Sequence, residues 1–224
     1  LWDTFVDGNR RAGGAPFNVA YHLSKMGVEA YMISSIGDDR LGAELLEKIR
    51  NWNISTAGIQ ISDQFPTSQV LATMDENNEA QYEIVEGVAW DYIEALPQDK
   101  AKVSTLDALV FGTLAARNER SRNTLLELVE KSPFNVFDIN LRPPHYDVTL
   151  IKQLLHKTQL AKFNKAELRL ILDFLGKSYQ DEVDSIRFIQ DTFGIMEVIV
   201  SKGSKGALYV CKDAIYNYPT IPIS

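Results

Sequence analysis

Apolar and polar residues follow two periods along this chain, and the changes of period mark its elements. After Gly13-Gly14, Pro16 opens a helix whose Val19, Leu23 and Met26 fall on one face, and a strand follows from Ala30 to Ile36. A helix over Leu41 to Trp52, a strand over Ala108 to Gly112, a helix over Glu119 to Lys131 and a buried strand over Phe134 to Ile139 continue the series. Leu160 to Asn164 reads as a short strand, Lys165 to Leu175 as a helix, and the strand ending at Ser201 turns through Lys202 to Gly206 into a further strand, Ala207 to Val210. Strands alternating with helices predict an α/β fold with a mostly parallel sheet covered by helices. One region departs from the pattern. Thr67 to Asp75 and Ala80 to Glu86 alternate around the polar turn Glu76-Asn77-Asn78, which predicts a β-hairpin standing apart from the parallel sheet.

Composition narrows the class. The 224 residues are 45% hydrophobic and 24% charged, enough to bury one sizeable core. A formal charge of -7 without a basic cluster argues against nucleic acid as a partner. The one cysteine, Cys211, excludes an internal disulfide framework, and no apolar run reaches the length of a transmembrane helix, so neither a membrane nor an oxidising compartment is expected and a cytoplasmic location is. No signal-like segment opens the chain, which starts at Leu1 without a methionine, so the native start is expected to be missing.

The candidate chemistry begins at Gly13-Gly14. Two glycines admit positive φ and close approach of a ligand, and the helix after them offers unpaired N–H groups, with Asn18 in its first turn, to hydroxyl or anionic oxygens. Alone, the pair reads sooner as a turn joining a strand to a packed helix. Asp138, Asn140 and Arg142 emerge at the carboxyl end of the Phe134 to Ile139 strand, where open α/β sheets bind ligands; Arg142 presents a fork suited to phosphate, and Pro143-Pro144 is expected to keep the next loop extended. The alternative there is a pairing of Asp138 with Arg142 across a turn. Asn164 and Glu167 have the spacing of a helix cap, and Ser201, Gly203 and Gly206 could place backbone amides against phosphate or simply form a hairpin. In Gly37-Asp38-Asp39-Arg40-Leu41-Gly42 the expected role is structural, an aspartate capping the helix that follows. Neither G-x-G-x-x-G nor G-x-x-x-x-G-K-[ST] occurs, which disfavours a dinucleotide-binding oxidoreductase and a Walker-type NTPase.

Taken together, Gly13-Gly14-x-Pro16-x-Asn18-x-Ala20 with Gly27 and Gly37, then Asp138-x-Asn140-x-Arg142, Asn164-x-x-Glu167 and Ser201-x-Gly203-x-x-Gly206, resemble in order the motifs of the ribokinase-like (PfkB) carbohydrate kinases, and Leu1-Trp2-Asp3 and Asp138 to Pro144 look most like fructokinases. The resemblance implies a three-layer α/β/α sandwich with a mostly parallel sheet and a small β-sheet lid, here one domain over 1–224, incomplete at both ends, with the lid built from about 4–12 and 66–88. It implies sugar contacts from Asp3, which would follow the first core strand, and from Gly13, Gly14, Asn18, Asp138, Asn140 and Arg142, with Arg142 also stabilising charge. It places Asn164, Ser201, Gly203 and Gly206 at the nucleotide, and has Glu167 order the waters of a magnesium ion. The implied cofactors are ATP and Mg2+, with a monovalent cation such as K+ as a further candidate; the partners are a small sugar and ATP, and the lid leaves a homodimer open. The family's G-A-G-D segment, which carries its catalytic aspartate, does not occur here and is expected beyond Ser224. The implied reaction is ATP-dependent phosphorylation of D-fructose to fructose 6-phosphate. Ribose, 2-keto-3-deoxygluconate or a nucleoside stay open as acceptors, Arg117 and Tyr82 being candidate donors to a keto acid; a non-catalytic sugar-binding module is the reading if the catalytic segment is truly absent.

Overall fold

The computed structural model describes residues 1–5, 7–74, 80–212 and 214–220, with the backbone alone at 72–74 and 80–82. The expected turn Glu76-Asn77-Asn78 and the side chain of Tyr82 lie outside the described residues. Contacts divide the chain into two compact units, Leu1–Asp99 with Asn118–Thr124, and Lys100–Arg117 with Leu125–Ser224. In chain order the elements are β1 (Trp2–Thr4), β2 (Arg10–Ala12), α1 (Ala15–Lys25), β3 (Ser34–Gly37), α2 (Arg40–Asn51), β4 (Ile59–Ser62), β5 (Gln69–Met74), β6 (Ala80–Ile84), α3 (Pro97–Val103), β7 (Leu109–Gly112), α4 (Glu119–Lys131), β8 (Asn135–Asp138), α5 (Val148–Leu155), β9 (Leu160–Asn164), α6 (Lys165–Phe174), α7 (Glu182–Phe193), β10 (Glu197–Ser201), β11 (Ala207–Cys211) and β12 (Ala214–Tyr218).

In the first unit the expected hairpin, β5 with β6, joins β1 and β2 in a four-stranded sheet of order β2-β1-β5-β6. β1 runs parallel to β5 and antiparallel to β2, so residues from both ends of the unit share the sheet. Its alternation gives β1 two environments. Trp2 is buried with Ile36 and Leu45 and donates its indole N–H to the Leu41 carbonyl at 3.0 Å, whereas Asp3 points to the opposite face. The strand expected over Ala30 to Ile36 is shorter, β3 pairing in parallel with β4 from Ser34 to Gly37. Helix α1 buries Phe17 and Ala20; of the anticipated stripe Val19 and Leu23 are half-buried, and Met26, past the helix end at Lys25, is a 77% exposed cap.

The second unit holds a sheet of order β12-β11-β10-β9-β8-β7, parallel from β7 to β10 and closed by the antiparallel pair β11 and β12. Parallel neighbours taken in sequence order by right-handed crossovers put their connecting helices on one face. One core cluster accordingly joins Phe111, Phe137, Phe163, Val198 and Val200 of the strands to Val129, Leu154, Leu168, Ile171, Ile186 and Ile189 of α4 to α7. Phe137 and Phe163 are fully buried, each contributing about 1.5–3 kcal/mol of apolar transfer. This packing fixes the carboxyl ends of β8, β9 and β10, where the chemistry-bearing residues sit.

Candidate active site

In the first unit Asp3 lies within β1, not after it as expected, and pairs in register with Arg11 of β2 and Val70 of β5. Its half-buried carboxylate accepts no hydrogen bond from the described residues, and burial pushes it above the ordinary carboxylate range. Gly13 comes up against it. A Cβ on Gly13 would overlap Asp3 Oδ2 and stand 2.8 Å from its Cγ, so only glycine permits this approach. Gly14 follows with φ 106° and opens α1 without a side-chain cap, which leaves the first-turn N–H groups without intrahelical partners. Asn18 is exposed in that same first turn. The result is an acceptor with spare lone pairs beside a helix start with spare donors, a combination suited to a polyol.

In the second unit β8 ends at Asp138, whose Oδ1 accepts from Lys162 Nζ at 2.8 Å. The alternative pairing of Asp138 with Arg142 is therefore not formed: Lys162 sits directly opposite Asp138 in the β8–β9 register and takes the carboxylate. Asn140 turns the chain with φ 41°, a left-handed conformation that asparagine tolerates better than most residues. Arg142 is exposed and donates to the Leu141 carbonyl at 2.8 Å, with no carboxylate paired to it among the described residues. The loop beyond is a turn and not the expected extended segment, since His145 N–H donates to the Arg142 carbonyl at 2.8 Å.

Asn164 caps α6, its side-chain oxygen accepting from Ala166 and Glu167 N–H, both at 2.9 Å. Glu167 closes the box: Oε2 accepts from Asn164 N–H at 2.7 Å and Oε1 from Leu141 N–H at 2.9 Å, and the residue is only 6% exposed. Each carboxylate oxygen is thus engaged by a backbone amide. Among the described residues no cluster of three His, Cys, Asp or Glu is placed to hold a metal ion. Glu167 fits a magnesium ion only through water and the remaining lone pairs of those oxygens.

Ser201, opposite Asn164 in the β9–β10 register, donates its hydroxyl to the Phe163 carbonyl at 3.4 Å. The turn after it is closed by Lys202 N–H to the Gly206 carbonyl at 2.7 Å and by Gly206 N–H to the Gly203 carbonyl at 3.0 Å. Its two glycines do different work. Gly206, φ 91°, has no room for a Cβ, which would meet the Tyr218 carbonyl carbon at 2.8 Å. Gly203, φ 57°, opens onto free space, and the amides of Gly203 and Ser204 donate to nothing among the described residues, which is the geometry of an anion nest.

Residues 5–224 match the family described as pfkB family carbohydrate kinase. The chain belongs to the PfkB family. A fructokinase of Rhizobium leguminosarum bv. trifolii is 26% identical to it over 219 residues, 93% of this chain and 64% of that protein. A fructokinase of Salmonella typhimurium is 22% identical over 95% of this chain and 70% of its own length. The PfkB chain thus spans about two thirds of the curated relatives it matches. Among solved structures, fructokinase from Xylella fastidiosa superposes with a TM-score of 0.85 at 17% identity, over 96% of this chain and 68% of its own. Fructokinase from Vibrio cholerae O395, solved with fructose, ADP and a calcium ion, superposes with a TM-score of 0.78 at 18% identity, over 100% of this chain and 74% of its own. The fold is that of the ribokinase-like kinases.

Within this PfkB chain the structure brings Asp3 to Gly13, and joins the Asp138–Arg142 segment to the Asn164–Glu167 segment through Leu141. Sequence reasoning missed two partners. Lys162 was readable as a charge inside the otherwise apolar strand Leu160–Asn164, but its pairing with Asp138 depends on register. Thr67, 28 residues beyond Asp39, gave no local signal, yet its N–H donates to Asp39 Oδ2 at 2.7 Å and its hydroxyl accepts from Gly37 N–H at 2.9 Å. Asp39 also accepts from Gly42 N–H at 2.8 Å, so of the two aspartates expected as candidates, Asp38 and Asp39, it is Asp39 that caps α2.

Proposed function

We propose that this chain carries the sugar- and nucleotide-binding parts of an ATP-dependent sugar kinase whose acceptor is D-fructose, phosphorylated to fructose 6-phosphate. The observation that carries the reading is Asp3, a half-buried carboxylate without a protein donor, set against Gly13 at the start of α1. A carboxylate without a hydrogen-bond donor is matched by sugar hydroxyls, each of which gives it a charge-assisted hydrogen bond. Gly13, Gly14 and Asn18 extend that site within the first unit, and in the second unit Asp138, Asn140 and Arg142 are the residues to which the family resemblance gives sugar contacts. The four-stranded sheet that bears Asp3 is read as the lid that the family resemblance implies, an element whose part is to keep water out while the sugar reacts. The choice of fructose is supported by relatives named fructokinase.

ATP lies with its phosphates at the Gly203 to Gly206 nest and near Asn164. A sugar hydroxymethyl oxygen attacks the γ-phosphorus as the bond to ADP breaks, and the hydroxyl proton passes to the catalytic aspartate that the family resemblance implies. Bound Mg2+ would neutralise phosphate charge, with Glu167 meeting its waters; Arg142 adds a fixed guanidinium. No helix among the described residues is long and apolar enough to cross a membrane. The test is an ADP-release assay on the full-length protein with ATP and Mg2+ against fructose, ribose, 2-keto-3-deoxygluconate and glucose. Turnover with fructose alone supports the assignment, turnover with another sugar keeps the kinase and discards fructose, and sugar binding without turnover favours a binding module.

A further inference from the structure

The turn between β10 and β11 contains two lysines with opposite dispositions. Lys205 is exposed, whereas the Lys202 ammonium is drawn inward to Glu182 Oε2 at 3.2 Å and Asn217 Oδ1 at 3.4 Å, the Lys202 and Glu182 side chains being 20% and 17% exposed. Glu182 is the first residue of α7, whose Ile186 and Ile189 are buried in the same core as Val198 and Val200 of β10. The anion is thereby held at a fixed place relative to the strand that leads into the turn. Its second oxygen, Oε1, is buried and accepts no hydrogen bond from the described residues, and Lys202 is the cation paired with this carboxylate among them.

A lysine in a glycine turn ordinarily serves phosphate as a mobile point charge. Lys202 is spent otherwise. Its side chain is tied to α7 and β12 while its own N–H closes the turn on the Gly206 carbonyl, and the Gly203 and Ser204 amides donate to nothing among the described residues. We propose that the Lys202–Glu182 pair, assisted by Asn217, is a latch that holds the Gly203 to Gly206 turn in its phosphate-binding shape. Lys202 and Glu182 are then positioning residues for the nucleotide and not ligands to it. The inference rests on the reading of this turn as the nucleotide site.

The experiment is calorimetric titration of ADP, and separately of fructose, into the parent full-length protein and its Glu182→Gln, Lys202→Ala and Lys202→Arg variants. The latch predicts that Glu182→Gln and Lys202→Ala weaken ADP by about tenfold, leave fructose affinity unchanged, and that Lys202→Arg stays near the parent. Glu182→Gln keeps the side-chain shape and carries the test if Lys202→Ala fails to fold. Unchanged ADP affinity in Glu182→Gln overturns the latch alone. Tighter ADP binding in that variant also overturns it, because the freed lysine would then be a withheld phosphate ligand. No ADP binding by the parent overturns the nucleotide reading of the turn and the latch with it.

Discussion

Glu167 is hydrogen-bonded to Leu141 across 26 residues, its Oε1 accepting the Leu141 N–H at 2.9 Å while Oε2 holds the Asn164 N–H. One buried carboxylate therefore fixes the loop that carries Asn140 and Arg142 to the helix start that carries Asn164. Replacing it with alanine strands two amides and removes half of a capping box. Glu167→Ala is expected to lose about 2–4 kcal/mol in urea denaturation, and Glu167→Gln, which keeps one acceptor, about half of that. If Glu167 also meets the waters of a magnesium ion, Glu167→Gln will raise the Mg2+ concentration needed for half-maximal turnover; equal Mg2+ dependence would restrict the residue to bracing.

Asp3 and Gly13 make a paired prediction. Asp3→Asn is expected to weaken sugar binding by roughly 10- to 100-fold through loss of a charged acceptor, with little loss of melting temperature, because the native carboxylate is desolvated and accepts no hydrogen bond from the described residues. Gly13→Ala must displace Asp3, and its sugar affinity should fall comparably.

The pH dependence has a definite sign at Asp3. Burial raises its folded pKa above 3.8, so between the two values the folded state holds more protons, and the stability due to this group is present at low pH and lost as pH rises through the folded value. Sugar affinity runs the other way, falling as the carboxyl protonates. Fructose titrations from pH 7 down toward 4 should show this fall in the parent, and Asp3→Asn should flatten it.

Asp39 behaves oppositely. Burial raises its pKa, but hydrogen bonds from the Thr67 backbone, the Gly42 backbone and the Thr67 hydroxyl outweigh that and leave it below 3.8. Its stabilisation is complete above the unfolded value and is lost as pH falls through the depressed folded one. Asp39→Ala is expected to cost about 2–4 kcal/mol at pH 7 by urea denaturation, with the deficit shrinking in acid.

The two glycines of the nucleotide turn should separate cleanly. Gly206→Ala drives a methyl into the Tyr218 backbone and should open the β11–β12 end, costing more than about 2 kcal/mol. Gly203→Ala meets nothing, so its cost is the left-handed backbone alone, about 1 kcal/mol, with weaker ADP binding as the methyl intrudes on the nest. Thermal melts beside ADP titrations distinguish the two.

By itself the sequence determined what short-range physics controls. The period of apolar residues set α4 and β9 at the residues observed, Asn164-x-x-Glu167 set a helix start, the Asp38-Asp39 pair set another, and the ordered motifs pointed to the family. It failed where the energy lies in contacts between distant segments. Met26 continued a helical stripe but lies past the helix end, in solvent. For Asp138 the sequence suggested only a pairing with Arg142, and the β8–β9 register, fixed by burial of Phe137 and Phe163, supplied Lys162 instead. Likewise only the folded sheet puts Asp3 on Gly13, and only packing of α7 on β10 gives Lys202 its partner. Periodicity and capping are written within a few residues, while register and side-chain pairing are chosen by the core as a whole.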